Sequence, residues 1–198
     1  MKSTDKIAAL ILAGGRSTRM GTLKPMLPLG GMSIIERVIG IFREAGVVDI
    51  IVVVGHQAEN VIPLLEGQGV PWVINEHYDR GMFSSIQVGA KSLGDECRAF
   101  FLSPADMPLV NTASLEKLIA AYREGNMDVY HPCYKQKRGH PPLIAARLIP
   151  SILSFAEPGG MRELLSRYRG TSLDVACDDP GILIDLDTPE DYELAKGR

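Results

Sequence analysis

Cysteine is scarce and unmatched in this chain. Cys97, Cys133 and Cys177 are odd in number and far apart. They give no disulfide framework and no metal-ligand spacing, which predicts a reducing, cytoplasmic setting. Long apolar runs are missing too. The stretch "DIIVVVG" is strand-sized, well short of the ~20 residues that a membrane-spanning helix needs. The opening "MKSTDKIAALILAGG" is apolar only briefly before it meets a glycine turn, so a buried first strand is expected rather than a signal peptide. A strong charge of one sign is also lacking. A net charge of −3 excludes a bulk polyanion such as nucleic acid as the expected partner. No Ser-His-Asp or Cys-His arrangement offers a nucleophile with its base.

What is present is an alternation of strands and helices within 198 residues, a length that fits one domain, residues 1–198, with a sizeable core. Lys6–Leu12, Asp49–Gly55, the "PWVIN" stretch ending at Asn75, Arg98–Leu102 and Asp128–His131 read as strands. Helices are expected after a Ser33/Glu36 capping box and over Gln57–Leu65, Phe83–Leu93 and the segment capped by Asn111 or Thr112. Two short helices are expected near Leu148–Phe155 and Met161–Tyr168, and a last one starts at Thr188, Pro189 and Asp191. "TSLDVACDD" and "GILIDLD" read as late strands. Such alternation predicts an α/β fold with a mostly parallel sheet covered on both faces, and a ligand at the carboxyl ends of the strands.

The first strand runs into "LAGGRSTRMGTLK". Gly14 and Gly15 lack Cβ atoms, so their backbone N–H groups can approach an anion closely. Arg16, Arg19 and Lys24 put three cations within nine residues of that turn. Glycines with converging cations suit a polyphosphate. The better-known phosphate loops do not fit. Gly21 is followed by Thr22 rather than Lys, and "GGRSTRMG" is not GxGxxG. Asp106 closes an apolar strand just before Pro108, at the same ligand edge, where a carboxylate can hold nucleotide-bound magnesium. Asp185 and Asp187, two apart on the expected strand, share one face and are the candidates for a second carboxylate. His56 also follows a strand directly, whereas His131 and Cys133 read as packing residues.

"LAGGRSTRMGTLKPMLPLGG" resembles the opening motif of the MobA-like nucleotidyltransferases, LAxGxSxRMGxxK followed by LPLxG. "NEHYDRGMFSSIQVGAKSL", "FFLSPADMPLV", "KRGHPPLI" and "DDPGILIDLDTPEDYELA" resemble that family's later segments in the same order. The GM-x-SS and RGHP segments are most similar to the molybdenum cofactor cytidylyltransferase branch, while "AGG" in place of "AAG" is commoner in the guanylyl branch. The resemblance implies a Rossmann-like three-layer nucleotidyltransferase fold and transfer of CMP from CTP to the phosphate of molybdopterin, with release of pyrophosphate and with Mg2+ as cofactor. It implies catalytic roles for Arg19, Lys24 and Asp106 and metal contact for Asp106 and Asp187. Nucleotide contacts would come from Leu12, Ala13, Gly14, Gly15, Arg16, Gly55, Asn75, Ser84 and Ser85, and acceptor contacts from Gly81, Met82, Gly139 and His140. A molybdoenzyme receiving the product is the implied partner. The competing readings are a guanylyltransferase, a transferase acting on another phosphorylated acceptor, and an NTP-binding regulatory or delivery protein without turnover. Retention of Arg19, Lys24 and Asp106 together argues against the last.

Overall fold

Residues 6–15 and 22–197 are described by a computed structural model. Arg16 and Arg19 lie outside the described residues. β1 (Lys6–Ala13) is an interior strand of the sheet, flanked on both sides, and its apolar residues serve both faces in turn. Ala9, Ile11 and Ala13 join one core, and Ala8 and Leu10 join the other. A small hairpin of β2 (Pro28–Leu29) and β3 (Met32–Ser33) leads into α1 (Ile34–Glu44). Ser33 and Glu36 form the expected capping box of α1. β4 (Asp49–Val54), α2 (Ala58–Gly67) and β5 (Trp72–Ile74) follow. Next come α3 (Met82–Ser92), β6 (Cys97–Pro104) and α4 (Thr112–Glu124), the last capped by the side chain of Asn111.

β7 (Val129–Tyr134) turns back tightly on β8 (Lys137–Arg138), and β9 (Leu143–Ala145) leads to α5 (Ile149–Ser154) and α6 (Gly160–Ser166). β10 (Ser172–Ala176) and α7 (Pro189–Lys196) complete the chain, and α7 starts on a Thr188/Asp191 capping box. The strand order is β10-β7-β9-β6-β1-β4-β5, with β8 paired to β7. β6, β1, β4 and β5 run parallel, while β9 is antiparallel to both its neighbours. Helices α1, α2 and α4 cover one face through Ile35, Val61 and Leu115, and α3, α5 and α6 cover the other through Ile86, Ile152 and Leu164. The result is the expected three-layer Rossmann-like α/β fold. No described helix is long and apolar enough to cross a membrane, and all three cysteines are free.

The "GILIDLD" stretch is not a strand. Pro180–Leu183 is a short 3-10 turn, and residues 184–187 pair with no strand. β-branched residues favour extended backbone, but a strand needs a partner's ladder. Here one bond, from the Leu186 N–H to the Asp106 carbonyl at 2.9 Å, holds the segment beside the end of β6. Alternation survives without the ladder: Leu186 is fully buried, and Asp185 and Asp187 both face the cleft described next.

Candidate active site

The carboxyl ends of β1 and β6 open onto a cleft of about 680 Å3, within the usual range for small-molecule sites. Leu12–Gly15 form its floor together with Pro104–Met107. The Ala105 N–H donates to the Leu12 carbonyl at 3.0 Å and ties the two strand ends together. The turn Lys24–Met26, with Pro25 fixing its backbone, places Lys24 over this floor. The Lys24 ammonium lies 3.0 Å from Asp106 Oδ2 and 2.5 Å from Asp187 Oδ1. Three segments separated by 82 and 163 residues thus converge on one atom. Burial alone would lower the Lys24 pKa. The hydrogen bond to Asp187 and the charge of Asp106 outweigh it, so the amine stays protonated with a raised pKa.

One end of the cleft is built by the turn after β5. Asn75 is buried, and its Nδ2 donates to Ser84 Oγ at 2.8 Å and Ser85 Oγ at 2.9 Å, while its Oδ1 accepts from the His77 N–H. Ser84 Oγ also lies within hydrogen-bond reach of the His77 and Gly81 carbonyls. Gly81 enters α3 at φ +93°, a conformation that a side chain would strain. Gly81, Met82 and Ser85 therefore line the cleft, while Asn75 and Ser84 sit behind them as the brace of the turn. Gly55 is also behind the wall. A Cβ there would lie 2.9 Å from Tyr78 Cβ and 3.1 Å from the Gly14 carbonyl oxygen.

The other end is built by the segment after β8. A Cβ on Gly139 would meet the Ile182 carbonyl oxygen at 2.3 Å, and the His140 N–H donates to that same oxygen at 2.8 Å. Arg138, Gly139, His140, Leu183 and Asp185 line this end. His140 leaves part of its surface open to the cleft. Enough protein surrounds the ring that burial lowers its pKa, opposed in part by Asp106 and Asp185. It is therefore a neutral imidazole at pH 7.

The expected residues divide accordingly. Leu12, Ala13, Gly14, Gly15, Lys24, Gly81, Met82, Ser85, Asp106, Gly139, His140, Asp185 and Asp187 surround one cleft, and Gly55, Asn75 and Ser84 do not reach its surface. Sequence reasoning assigned no role to Tyr78 or Arg138, yet both line the cleft. A lone aromatic just before Gly81 was the available signal for the first, and a cation next to Gly139 for the second.

A family model, the MobA-like NTP transferase domain, matches residues 9–172, from the middle of β1 to the start of β10. The chain belongs to the MobA-like NTP transferase family. Among curated relatives, the molybdenum cofactor cytidylyltransferase of Escherichia coli (strain K12) is 27% identical over 97% of this chain and 96% of its own length. The bifunctional protein GlmU of Geotalea uraniireducens (strain Rf4) is 33% identical over 60% of this chain. The chain spans about a quarter of the length of the GlmU relatives it matches. Among solved structures, Rv0371c from Mycobacterium tuberculosis H37Rv superposes with a TM-score of 0.87 at 24% identity, covering 99% of this chain and all of that one. A nucleotidyl transferase from Methanothermobacter thermautotroptrophicus superposes with a TM-score of 0.83 at 25% identity, covering 98% and 97%. This MobA-like chain shares with both the fold that brings Lys24, Asp106 and Asp187 together.

Proposed function

We propose that the chain transfers CMP from CTP to the phosphate of molybdopterin and releases pyrophosphate. The observation that carries this reading is the buried Lys24 ammonium between Asp106 and Asp187, beside the Gly14–Gly15 backbone. The E. coli relative named for cytidylyl transfer, which matches nearly end to end, supports the choice of donor and acceptor. The acceptor's phosphate has a second pKa near 6, so it is already an anionic nucleophile at neutral pH and no general base is required. The obstacle is bringing two anions together, which is overcome by positioning and charge neutralisation. Backbone N–H groups at Gly14 and Gly15 hold phosphate oxygens. Lys24 and Arg19 offset the charge that grows on the leaving pyrophosphate. Gly139 and His140 orient the acceptor. Gly81 and Met82, which the resemblance also assigns to the acceptor, line the other end of the cleft, so they join Leu12, Ala13, Arg16, Gly55, Asn75, Ser84 and Ser85 in binding or bracing the nucleotide.

The donor set fits Mg2+. Asp106 and Asp187 present hard carboxylate oxygens that already share one cation. Among the described residues, no group of three or more acidic, His or Cys side chains could hold a metal by itself. Phosphate oxygens and water would therefore complete the shell. When bound, the metal would supply Lewis-acid stabilisation of phosphate charge. A structure of Rv0371c is a complex with manganese, at 23% identity and a TM-score of 0.81.

The second reading is guanylyl transfer, favoured by Gly15, which follows the guanylyl pattern. A molybdopterin-guanine dinucleotide biosynthesis protein A from Archaeoglobus fulgidus shares the fold, with a TM-score of 0.72 at 17% identity. Pyrophosphate release with CTP, GTP, ATP and UTP, each with and without molybdenum-loaded molybdopterin, separates the readings. Acceptor-dependent release fastest with CTP is expected. Strict preference for GTP overturns the cytidylyl assignment. Three free cysteines accord with a cytoplasmic site of action.

A further inference from the structure

Resting on the proposal that this cleft binds an NTP, we infer that Tyr78 is the platform on which the nucleobase stacks. The reacting centre at Lys24, Asp106 and Asp187 lies at the ends of β1 and β6, in the middle of the sheet. The cleft extends from there in two directions: toward β4 and β5, where Gly14, Tyr78, Gly81 and Ser85 line it, and toward β7 and β8, where Arg138, Gly139 and His140 do. The second direction carries a guanidinium held to Asp174 by its Nε at 2.6 Å and suits a phosphorylated acceptor. That leaves the first for the base.

Its geometry suits a flat ring. Tyr78 carries the only benzene-type ring on the described cleft wall. Two backbone layers lie against it: Gly55 has no room for a Cβ between Tyr78 Cβ and Gly14, and the His56 N–H donates to the Gly14 carbonyl at 3.3 Å. The His56 ring supports Tyr78 from the side, with centroids 5.7 Å apart and planes 55° inclined. The phenol is therefore a half-buried ring on a braced backbone, with less freedom to lose on binding than an unsupported side chain. Every base has a π-face, so such a platform contributes to all nucleotides, and edge contacts such as Ser85 are left to discriminate among them.

The test measures binding, not turnover. Affinities for CTP, GTP, ATP, UTP and inorganic tripolyphosphate are measured by calorimetry, with magnesium present, for the parent, Tyr78→Phe, Tyr78→Leu and Tyr78→Ala. Leucine keeps apolar bulk over Gly55 but has no π-face. Tyr78→Leu and Tyr78→Ala should each weaken all four NTPs by about 5- to 150-fold, the range for loss of one base–aromatic stack. Tripolyphosphate, which has no base, should bind unchanged, and Tyr78→Phe should stay within about twofold of the parent for every nucleotide. Equal losses for tripolyphosphate and the NTPs would make Tyr78 a structural residue and overturn the inference. So would unchanged NTP affinity in Tyr78→Leu, or a parent that binds NTPs no better than tripolyphosphate. A parent that prefers GTP, with the same Tyr78 losses, overturns the cytidylyl reading and supports the stacking platform.

Discussion

A buried ammonium loses hydration that nearby acceptors must replace, and here Asp106 and Asp187 do so and keep Lys24 charged. If its charge acts on the leaving pyrophosphate, Lys24→Ala should lower kcat by roughly 100-fold or more, the scale for removing one preorganised charge-stabilising group, with little change in the KM for CTP. Steady-state kinetics with saturating acceptor decides it. A rise in KM alone would reduce Lys24 to a binding cation. Gly15 presents the opposite case. A Cβ there meets no atom of the other described residues within 4 Å, and its backbone is not in the left-handed region. Gly15→Ala should therefore fold normally and change only what approaches the strand-end turn. We expect it to sharpen preference for CTP over GTP by roughly 10- to 200-fold, the scale of steric discrimination. An unchanged ratio of kcat/KM values would locate base selection elsewhere.

At the scale of elements, the cleft depends on a clamp remote from the chemistry. Asp179 is buried in front of the 180–183 turn. Its Oδ2 accepts from the Asn111 N–H and Ser114 Oγ, each at 2.8 Å, and its Oδ1 accepts from the Gly181 N–H at 2.8 Å. The carboxylate thus fastens the start of α4 to the turn whose Ile182 carbonyl holds His140. Asp179→Ala would leave three donors unpaired and should lower stability by about 2–3 kcal/mol, read from urea unfolding. Because the turn carries the wall proposed to bind the acceptor, the folded variant should lose more in KM for the acceptor than in KM for CTP. Equal changes in both would detach the clamp from the acceptor wall. Asp179-Pro180-Gly181 reads locally as a capped turn, but nothing local marks its link to α4. Its partners at 111 and 114 are about 65 residues away, and spacing arguments reach only a few positions.

For the whole molecule, pH dependence follows from the sheet. His131 lies in β7 opposite Asp174 of β10, nearly out of solvent. Burial pushes its pKa down to about 4, helped by the charge of Arg138 and opposed by Asp174. Its unfolded value is near 6.5. The neutral ring's contribution is complete above about pH 6.5 and is lost as pH falls toward 4, because the unfolded chain takes up a proton that the fold resists. The loss attributable to this group is up to about 3 kcal/mol. Urea titrations at pH 7, 5.5 and 4.5 should show stability falling less steeply in His131→Leu than in the parent. Parallel slopes would remove His131 from the account.

Most elements were legible in the sequence because their causes are local. The continuous apolar run of β1, the capping box at Ser33/Glu36 and the helix start at Thr188, Pro189 and Asp191 act within a few residues, and the structure has each of them. The "AGG" turn and the "PAD" strand end also gave the edge of the sheet where the cleft lies. The "GILIDLD" stretch misled because extended propensity is local but a strand requires a neighbour, and the sheet supplies none at that position. Pattern likewise could not separate Ser85, which faces the cleft, from Asn75 and Ser84, which brace the turn behind it. Only the tertiary structure put Lys24 between carboxylates 82 and 163 positions away, set Gly139 against Ile182 and laid Tyr78 over Gly55. Composition and periodicity specify what each segment can become. Which segments meet depends on the crossings of a folded sheet, where burial and charge are shared among residues that the chain itself keeps far apart.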